Sequence, residues 1–324
     1  MGKRTTIGDV ASAAGVSVAT VSRVLNGGAV KEDTAARVQV AVARLGYTPN
    51  ALTKSIFSGR STTIGVVIQD LSSPFYLDLM RGIDEVASAN DSLVMFANTY
   101  SQPGREVAHV RTMDEQRVRG LIVTTGEETD ARSHSMTANG TPCVVVARPV
   151  DGLHSVSLDN VAAGRMMAAH LAACGRSAVG VVCTSSRRPS QIGRTAGLRA
   201  GLAEAGLPAP SVVEVGAEAD VTAAVATLLR SEPDALDAVV CLTGRLTVAT
   251  YTALTAAGLT IPGDVAFLTM DEFPWAAALG ITVVAQPSYE MGRQAAGLVV
   301  EAPEEPVHRE FAPTLVPRTS CGER

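Results

Sequence analysis

Arg23 and the short side chains before it, Ser17, Val18, Ala19, Thr20 and Ser22, form a chemically unusual face for a solvated helix. An arginine can give two parallel hydrogen bonds to guanine O6 and N7. Val18 and Ala19 are apolar where water would favour charge, which suits contact with thymine methyl groups. Ser17, Thr20 and Ser22 are short donors fitted to phosphates, contacts that fix register without reading sequence. Such a face must be held by a small scaffold, and Val21, Val24 and Leu25 fall on the opposite side, toward Val10 and Ala14. Thr6 followed by Asp9 predicts a capping box that starts a first helix near Ile7. Gly15 permits the left-handed turn that ends it, Ser17 caps a second helix to about Leu25, and Asn26-Gly27-Gly28 stops that one. A third helix, from Asp33 or Thr34 to Leu45, brings Val38, Val42 and Leu45 to complete the core. Two short helices about a glycine turn are the helix-turn-helix pattern, in which the second helix enters the major groove.

Charge divides along the same line. The first 60 residues hold eight lysines and arginines against three acids, whereas the rest holds 19 against 29. Only the head suits a polyphosphate. No apolar run approaches the roughly 20 residues of a membrane span and no leader pattern precedes the head, so a cytoplasmic protein without membrane contact is expected. The five cysteines are scattered without ligand spacing, and neither a metal nor a cofactor is expected.

From Ile64 onward short β-branched runs alternate with amphipathic stretches. Strands are predicted at 64–68, 93–97, 121–124, 144–146, 179–183, 238–242, 265–268 and 282–284, with helices such as 76–89, 160–173, 193–205 and 246–257 between them. Strict alternation implies parallel sheets covered on both faces. So many units exceed one sheet, and two doubly wound lobes dividing near Ser157–Asn160 are expected. Ligands of such sheets sit outside the carboxyl ends of the strands. The candidates there are Ser73, Phe75 and Tyr76 after the first strand, Arg148, Asp271 and Gln286 after later ones, and Trp275 as a stacking platform or a hydrophobic lid. Each has a plainer alternative as a core residue, a surface ion pair or a helix cap.

The runs Thr6-Ile7-Gly8-Asp9-Val10-Ala11, Ala14-Gly15-Val16-Ser17-Val18-Ala19-Thr20-Val21-Ser22-Arg23-Val24-Leu25-Asn26 and Gly46-Tyr47-Thr48-Pro49-Asn50-Ala51-Leu52 resemble the lactose/galactose repressor family. The resemblance implies an all-α helix-turn-helix domain over 1–49, a hinge helix and linker over 50–61, and a periplasmic-binding-protein-like body over 62–324. The expected lobes of that body are 62–158 with 288–309, and 159–287 with 310–320. It also implies base reading by Val18, Ala19 and Arg23, and a hinge from Asn50 to Ser58 that turns helical on DNA and wedges Ile56 into the minor groove. The full set of expected DNA contacts is Thr6, Ser17, Val18, Ala19, Thr20, Ser22, Arg23, Asn26, Asn50, Leu52, Thr53 and Ile56; Thr53 stands where the family has alanine. Arg194, opening Arg-x-x-Gly with Gly197, resembles the family's effector-contacting arginine.

The departures carry information too. Thr243-Gly244-Arg245 replaces the family's Asn-Asp pair, Ser73 a common asparagine, and Ala147 a frequent aspartate. Amides and carboxylates are the groups that bind sugar hydroxyls in pairs. Their loss predicts a more cationic cleft and an effector with a carboxylate or phosphate, clamped by Arg148, Arg194 and Arg245, although loss of sensing is a second possibility. The expected partners are a pseudo-palindromic double-stranded operator, an anionic or sugar-derived effector, and a second copy of the chain. The rivals are an enzyme, for which no P-loop, G-x-G-x-x-G, G-x-S-x-G or metal cluster is present, and a solute-binding protein without regulatory DNA binding.

Overall fold

The computed structural model describes residues 5–25, 27–47, 61–124, 126–184, 188–216, 220–231 and 236–322. The chain forms two compact units, Met1–Thr62 and Thr63–Arg324.

In the first unit the expected caps form. Asp9 N–H donates to the Thr6 hydroxyl at 3.3 Å while Thr6 N–H donates to the Asp9 carboxylate at 2.8 Å, opening α1 (Ile7–Ala14). Gly15 takes φ 65°, and Thr20 N–H donates to Ser17 Oγ at 3.1 Å at the head of α2 (Val18–Leu25). The third helix, α3 (Glu32–Leu45), begins slightly earlier than expected, with Glu32 and Asp33 in its positive first turn. Val10, Ala11, Ala14, Val21, Val38 and Ala41 form the buried centre, and Val24, Leu25, Val42, Leu45 and Tyr47 pack around it.

The second unit contains two six-stranded sheets of matching order. The first comprises β1 (Thr63–Ile68), β2 (Leu93–Asn98), β3 (Gly120–Val123), β4 (Cys143–Val146), β5 (His154–Leu158) and β11 (His308–Phe311), in the order β11-β5-β4-β3-β1-β2, all parallel. The second comprises β6 (Val179–Cys183), β7 (Ser211–Glu214), β8 (Ala238–Cys241), β9 (Ala266–Met270), β10 (Thr282–Ala285) and β12 (Thr314–Val316), in the order β12-β10-β9-β8-β6-β7, parallel except for β12. The eight expected strands are all present. β5, β7, β11 and β12 add to them: β7 and β12 are short, β11 is charged, and β5 buries His154, Ser155 and Ser157 in place of an apolar run. Ser155 Oγ lies 2.6 Å from His308 Nδ1, and Val307 N–H donates to His154 Nδ1 at 3.1 Å, so that polarity is satisfied.

Around the first sheet lie α4 (Pro74–Ala89), α5 (Pro103–Glu115), α6 (Asp130–Ala138) and α12 (Ser288–Glu301); α7 (Asn160–Ala173), α8 (Pro189–Glu204), α9 (Val221–Ser231), α10 (Thr247–Ala256) and α11 (Pro274–Ala278) cover the second. The chain crosses between lobes three times: from β5 into α7, from β10 into α12, and from β11 to β12. The last crossing falls at 312–313 because Phe311 still pairs with Leu158, slightly beyond the expected 309.

Each lobe is pinned by one close helix pair. In α4 and α12, a Cβ on Gly82 would lie 2.0 Å from Tyr289 O and one on Gly292 2.1 Å from Leu79 O. In α7 and α8, a Cβ on Gly164 would lie 2.1 Å from Arg194 O and one on Gly197 2.0 Å from Val161 O. Backbone meets backbone in both pairs, which fixes the first turns of α4 and α8 at the strand ends of their lobes.

Candidate functional site

On the first unit, Ser17, Val18, Ala19 and Arg23 of the recognition face are exposed, while Thr20 and Ser22 are half-buried. Val18 is 45% exposed, a cost in water that a groove contact would remove. Ser17 Oγ serves as the cap and lies 2.9 Å from Thr20 Oγ1. The Thr6 hydroxyl donates to Asp9 at 2.7 Å, so its first role is in the capping box. The aliphatic stem of Arg23 lies over Gly28, where a Cβ would approach Arg23 Cγ to 2.6 Å. Gly28 thus leaves room for that stem, and its N–H donates to Arg23 O at 2.8 Å where the helix ends. Asn26, Asn50, Leu52, Thr53 and Ile56 lie outside the described residues.

On the second unit, the carboxyl ends of the strands enclose a cavity of about 170 Å³ between the lobes. One wall is Gln69 and Asp70 after β1, Ser73, Phe75 and Tyr76 opening α4, Thr124 after β3, and Ala147 and Arg148 after β4. Arg188 at the N-cap of α8 and Gln191 and Arg194 within it line the other wall, with Thr243 and Arg245 after β8, Asp271 after β9 and Gln286 after β10. The structure therefore brings together Ser73, Phe75, Tyr76, Arg148, Arg194, Thr243, Asp271 and Gln286. Trp275 does not line the cavity. Its ring stacks on Phe273 at 4.0 Å between centroids, against the core behind β8 and β9, because it sits on α11 rather than at a strand end.

Ala147 (φ 79°) and Asp271 (φ 70°) occupy equivalent positions after β4 and β9, and both adopt the left-handed backbone. Strain of this kind persists where surroundings over-determine it. Asp271 N–H donates to Val284 O at 3.1 Å, and its carboxylate accepts from Gln286 Nε2 at 2.6 Å and Gly244 N–H at 3.1 Å. Gly244 must be glycine, since a Cβ would approach Asp271 Oδ2 to 2.5 Å. Burial pushes the Asp271 carboxyl up, against the pull of Arg194, Gln286 and Gly244. Arg194 is itself buried, which lowers its pKa, and it donates to Asn160 Oδ1 at 2.9 Å and Leu242 O at 2.7 Å.

The expected clamp of three free arginines is not what the cleft contains. Arg148 forks onto the Asp130 carboxylate and also donates to Gly126 O at 3.0 Å. Arg245 pairs with Asp70 at 3.0 Å, an ion pair that joins the second lobe to the first. Partial burial raises the Asp70 carboxyl, but the Ser72 hydroxyl and N–H and then Arg245 outweigh it, leaving Asp70 below the ordinary carboxylate range. Arg188 reaches across the cleft to the Gln69 side-chain oxygen.

Residues 6–50 match the bacterial regulatory proteins of the lacI family, and residues 61–312 match the periplasmic binding proteins and sugar binding domain of the LacI family. The chain belongs to the LacI family. A curated relative, the HTH-type transcriptional regulator GalS of Salmonella typhimurium, is 33% identical over 98% of this chain and 97% of its own length. Among solved structures, the transcriptional regulator CelR–cellobiose complex is 26% identical, covering 98% of this chain and 100% of that one, with a TM-score of 0.69. The Lac repressor dimer bound to operator and the anti-inducer ONPF shares the fold, at a TM-score of 0.85 and 21% identity over 99% of this chain and 100% of that one. This LacI-family chain is thus a DNA-binding transcriptional regulator with a ligand-binding body.

Gln69, Asp70, Arg188 and Gln191 are among the lining residues of the LacI-family cleft that sequence reasoning missed. Gln69 and Asp70 directly follow β1, so the strand-end rule covers them as well as Ser73. Residues 188–191 were hidden by a helix start expected at Gly193; Pro189, favoured in a helix's first turn, marked the true start.

Proposed function

We propose that this regulator is a homodimeric repressor that places two recognition helices on a pseudo-palindromic operator, with its operator affinity set by a small sugar-derived molecule bound between the lobes. The observation that carries the proposal is the polar cleft lined by strand ends of both lobes and bridged by Asp70–Arg245. A ligand there touches both lobes, so it has a differential affinity for their relative positions, which is what a regulatory ligand requires. The cellobiose complex of CelR and the operator complex of the Lac repressor dimer support the two halves of the reading. The hinge segment 50–58 transmits the change in the proposed scheme, and the protein acts in the cytoplasm, where the operator lies.

A second copy is supported by the edge strand β2. Parallel strands are ordinarily covered on both faces, yet Leu93, Met95 and Phe96 are exposed there, with Leu77 exposed on α4, which packs against β2. Fluorescence anisotropy on the promoter fragment beside its own gene, across a salt series with unrelated competitor DNA, tests the function. Specific binding with a steep salt slope is expected. Failure to find any preferred site, with this fragment and in genome-wide selection with and without sugars, would sink the reading.

A further inference from the structure

The four arginines of the cleft are not equivalent. Arg148 is paired with Asp130, Arg245 with Asp70, and Arg194 faces Asp271. Arg188 makes no ion pair among the described residues; its partner is the neutral Gln69 oxygen, which also accepts from the Tyr76 hydroxyl at 3.4 Å. Glu127, the remaining acid of the lining, is exposed. Three residues after Arg188, the N-cap of α8, Gln191 lines the same cavity. It is 3% exposed, donates its amide to Leu242 O at 3.3 Å, and leaves its Oε1 with no donor among the described residues. Among the described residues the cleft therefore holds a cation without an ion pair and, beside it, a buried acceptor without a donor.

We infer that Arg188 anchors a carboxylate and that Gln191 accepts from a hydroxyl next to it, so that the effector is a sugar acid rather than a neutral sugar. The inference rests on the effector-cleft reading above and assigns its ligand class. A carboxylate replaces the neutral Gln69 oxygen with a charged acceptor, and charge-assisted bonds are roughly twice as strong as neutral ones. The first turn of α8, which the side chain of its N-cap residue Arg188 does not cap, adds backbone N–H groups and the positive helix end. One negative charge matches Arg188, the lining arginine that makes no ion pair among the described residues. The second charge of a phosphoryl group would meet Asp70 and Asp271, which already occupy Arg245 and Arg194 and serve better as acceptors for hydroxyls.

Titration calorimetry on the full chain tests this with five- and six-carbon aldonates and uronates, the matched neutral aldoses and their phosphates. A sugar acid is expected to bind at least about 10-fold tighter than its neutral counterpart. Arg188→Gln should remove that preference, Arg188→Lys should retain part of it, and Gln191→Leu should weaken acid and neutral ligands alike. Thermal unfolding checks that each variant is folded, and if Arg188→Gln is not, the Lys variant and the salt dependence of the acid's affinity carry the test. A neutral sugar or a phosphate as the tightest ligand, no binding by any acid, or an unchanged acid affinity in Arg188→Gln would each overturn the inference. Anisotropy on operator DNA, run in parallel, separates the two failures: a neutral sugar that shifts operator affinity removes the sugar acid and leaves the regulator standing, whereas absence of operator binding removes the regulator.

Discussion

Arg23 stands in solvent at the end of α2, its stem passing close to Gly28, where a side chain would collide with it. Arg23→Ala should cost about 1–3 kcal/mol on the preferred operator and little on competitor DNA, measured by anisotropy. An equal loss on both would make Arg23 a phosphate contact instead. At this scale the sequence showed a good deal. Thr6 with Asp9, and Ser17 with Thr20, form the caps their types predict because capping is local chemistry between near neighbours. The strand-end rule reached Arg148, Asp271 and Gln286 but could not show that Arg148 and Arg245 are already paired, since Asp130 and Asp70 come from elsewhere in the chain.

At the scale of elements, the close helix pairs give the sharpest expectation. Gly197→Ala places a methyl against Val161 O, which backbone cannot easily relieve, and should destabilise the body by about 1–3 kcal/mol while displacing Arg194 one turn before it. Gly297→Ala, in α12 with nothing within 4 Å of its Cβ, should stabilise by about 0.5–1 kcal/mol. Urea unfolding of both variants checks the pair, and equal shifts would contradict the packing argument. The sequence located α7 to the residue, its start capped by Asp159, whose carboxylate accepts from Ala162 N–H at 2.8 Å, and β1 nearly so, since its apolar run is buried continuously from Ile64 to Ile68. It left β5 unseen, since His154, Ser155 and Ser157 are buried polar residues whose partners lie on another strand or in its approach.

At the scale of the molecule, Asp70–Arg245 and Arg188–Gln69 hold the two lobes across the cleft. The folded-state pKa of Asp70 lies below its ordinary 3.8, so the unfolded chain binds the proton more readily. Its contribution to stability is therefore present above that value and is lost as pH falls through the lower folded-state value. Asp70→Asn should give a urea midpoint deficit that is constant from about pH 5 to 8 and shrinks only below the ordinary carboxylate range; a deficit that varies near neutrality would point to another group. Phe96 is 52% exposed on the edge strand. Phe96→Asp should shift the protein toward monomer in sedimentation velocity and weaken operator binding at nanomolar concentration; an unchanged dimer would place the interface elsewhere.

The sequence by itself determined what depends on neighbours along the chain: the capped helices of the head, its positive charge against an acidic body, and the β-α alternation that requires parallel sheets. Tertiary structure alone decided the pairings that depend on the two lobes meeting. Three crossings bring Asp70 to Arg245, separated by 175 residues, and leave Arg188 with a neutral partner across the cleft. Charge compensation is a property of distance in space, and no spacing along the chain encodes it.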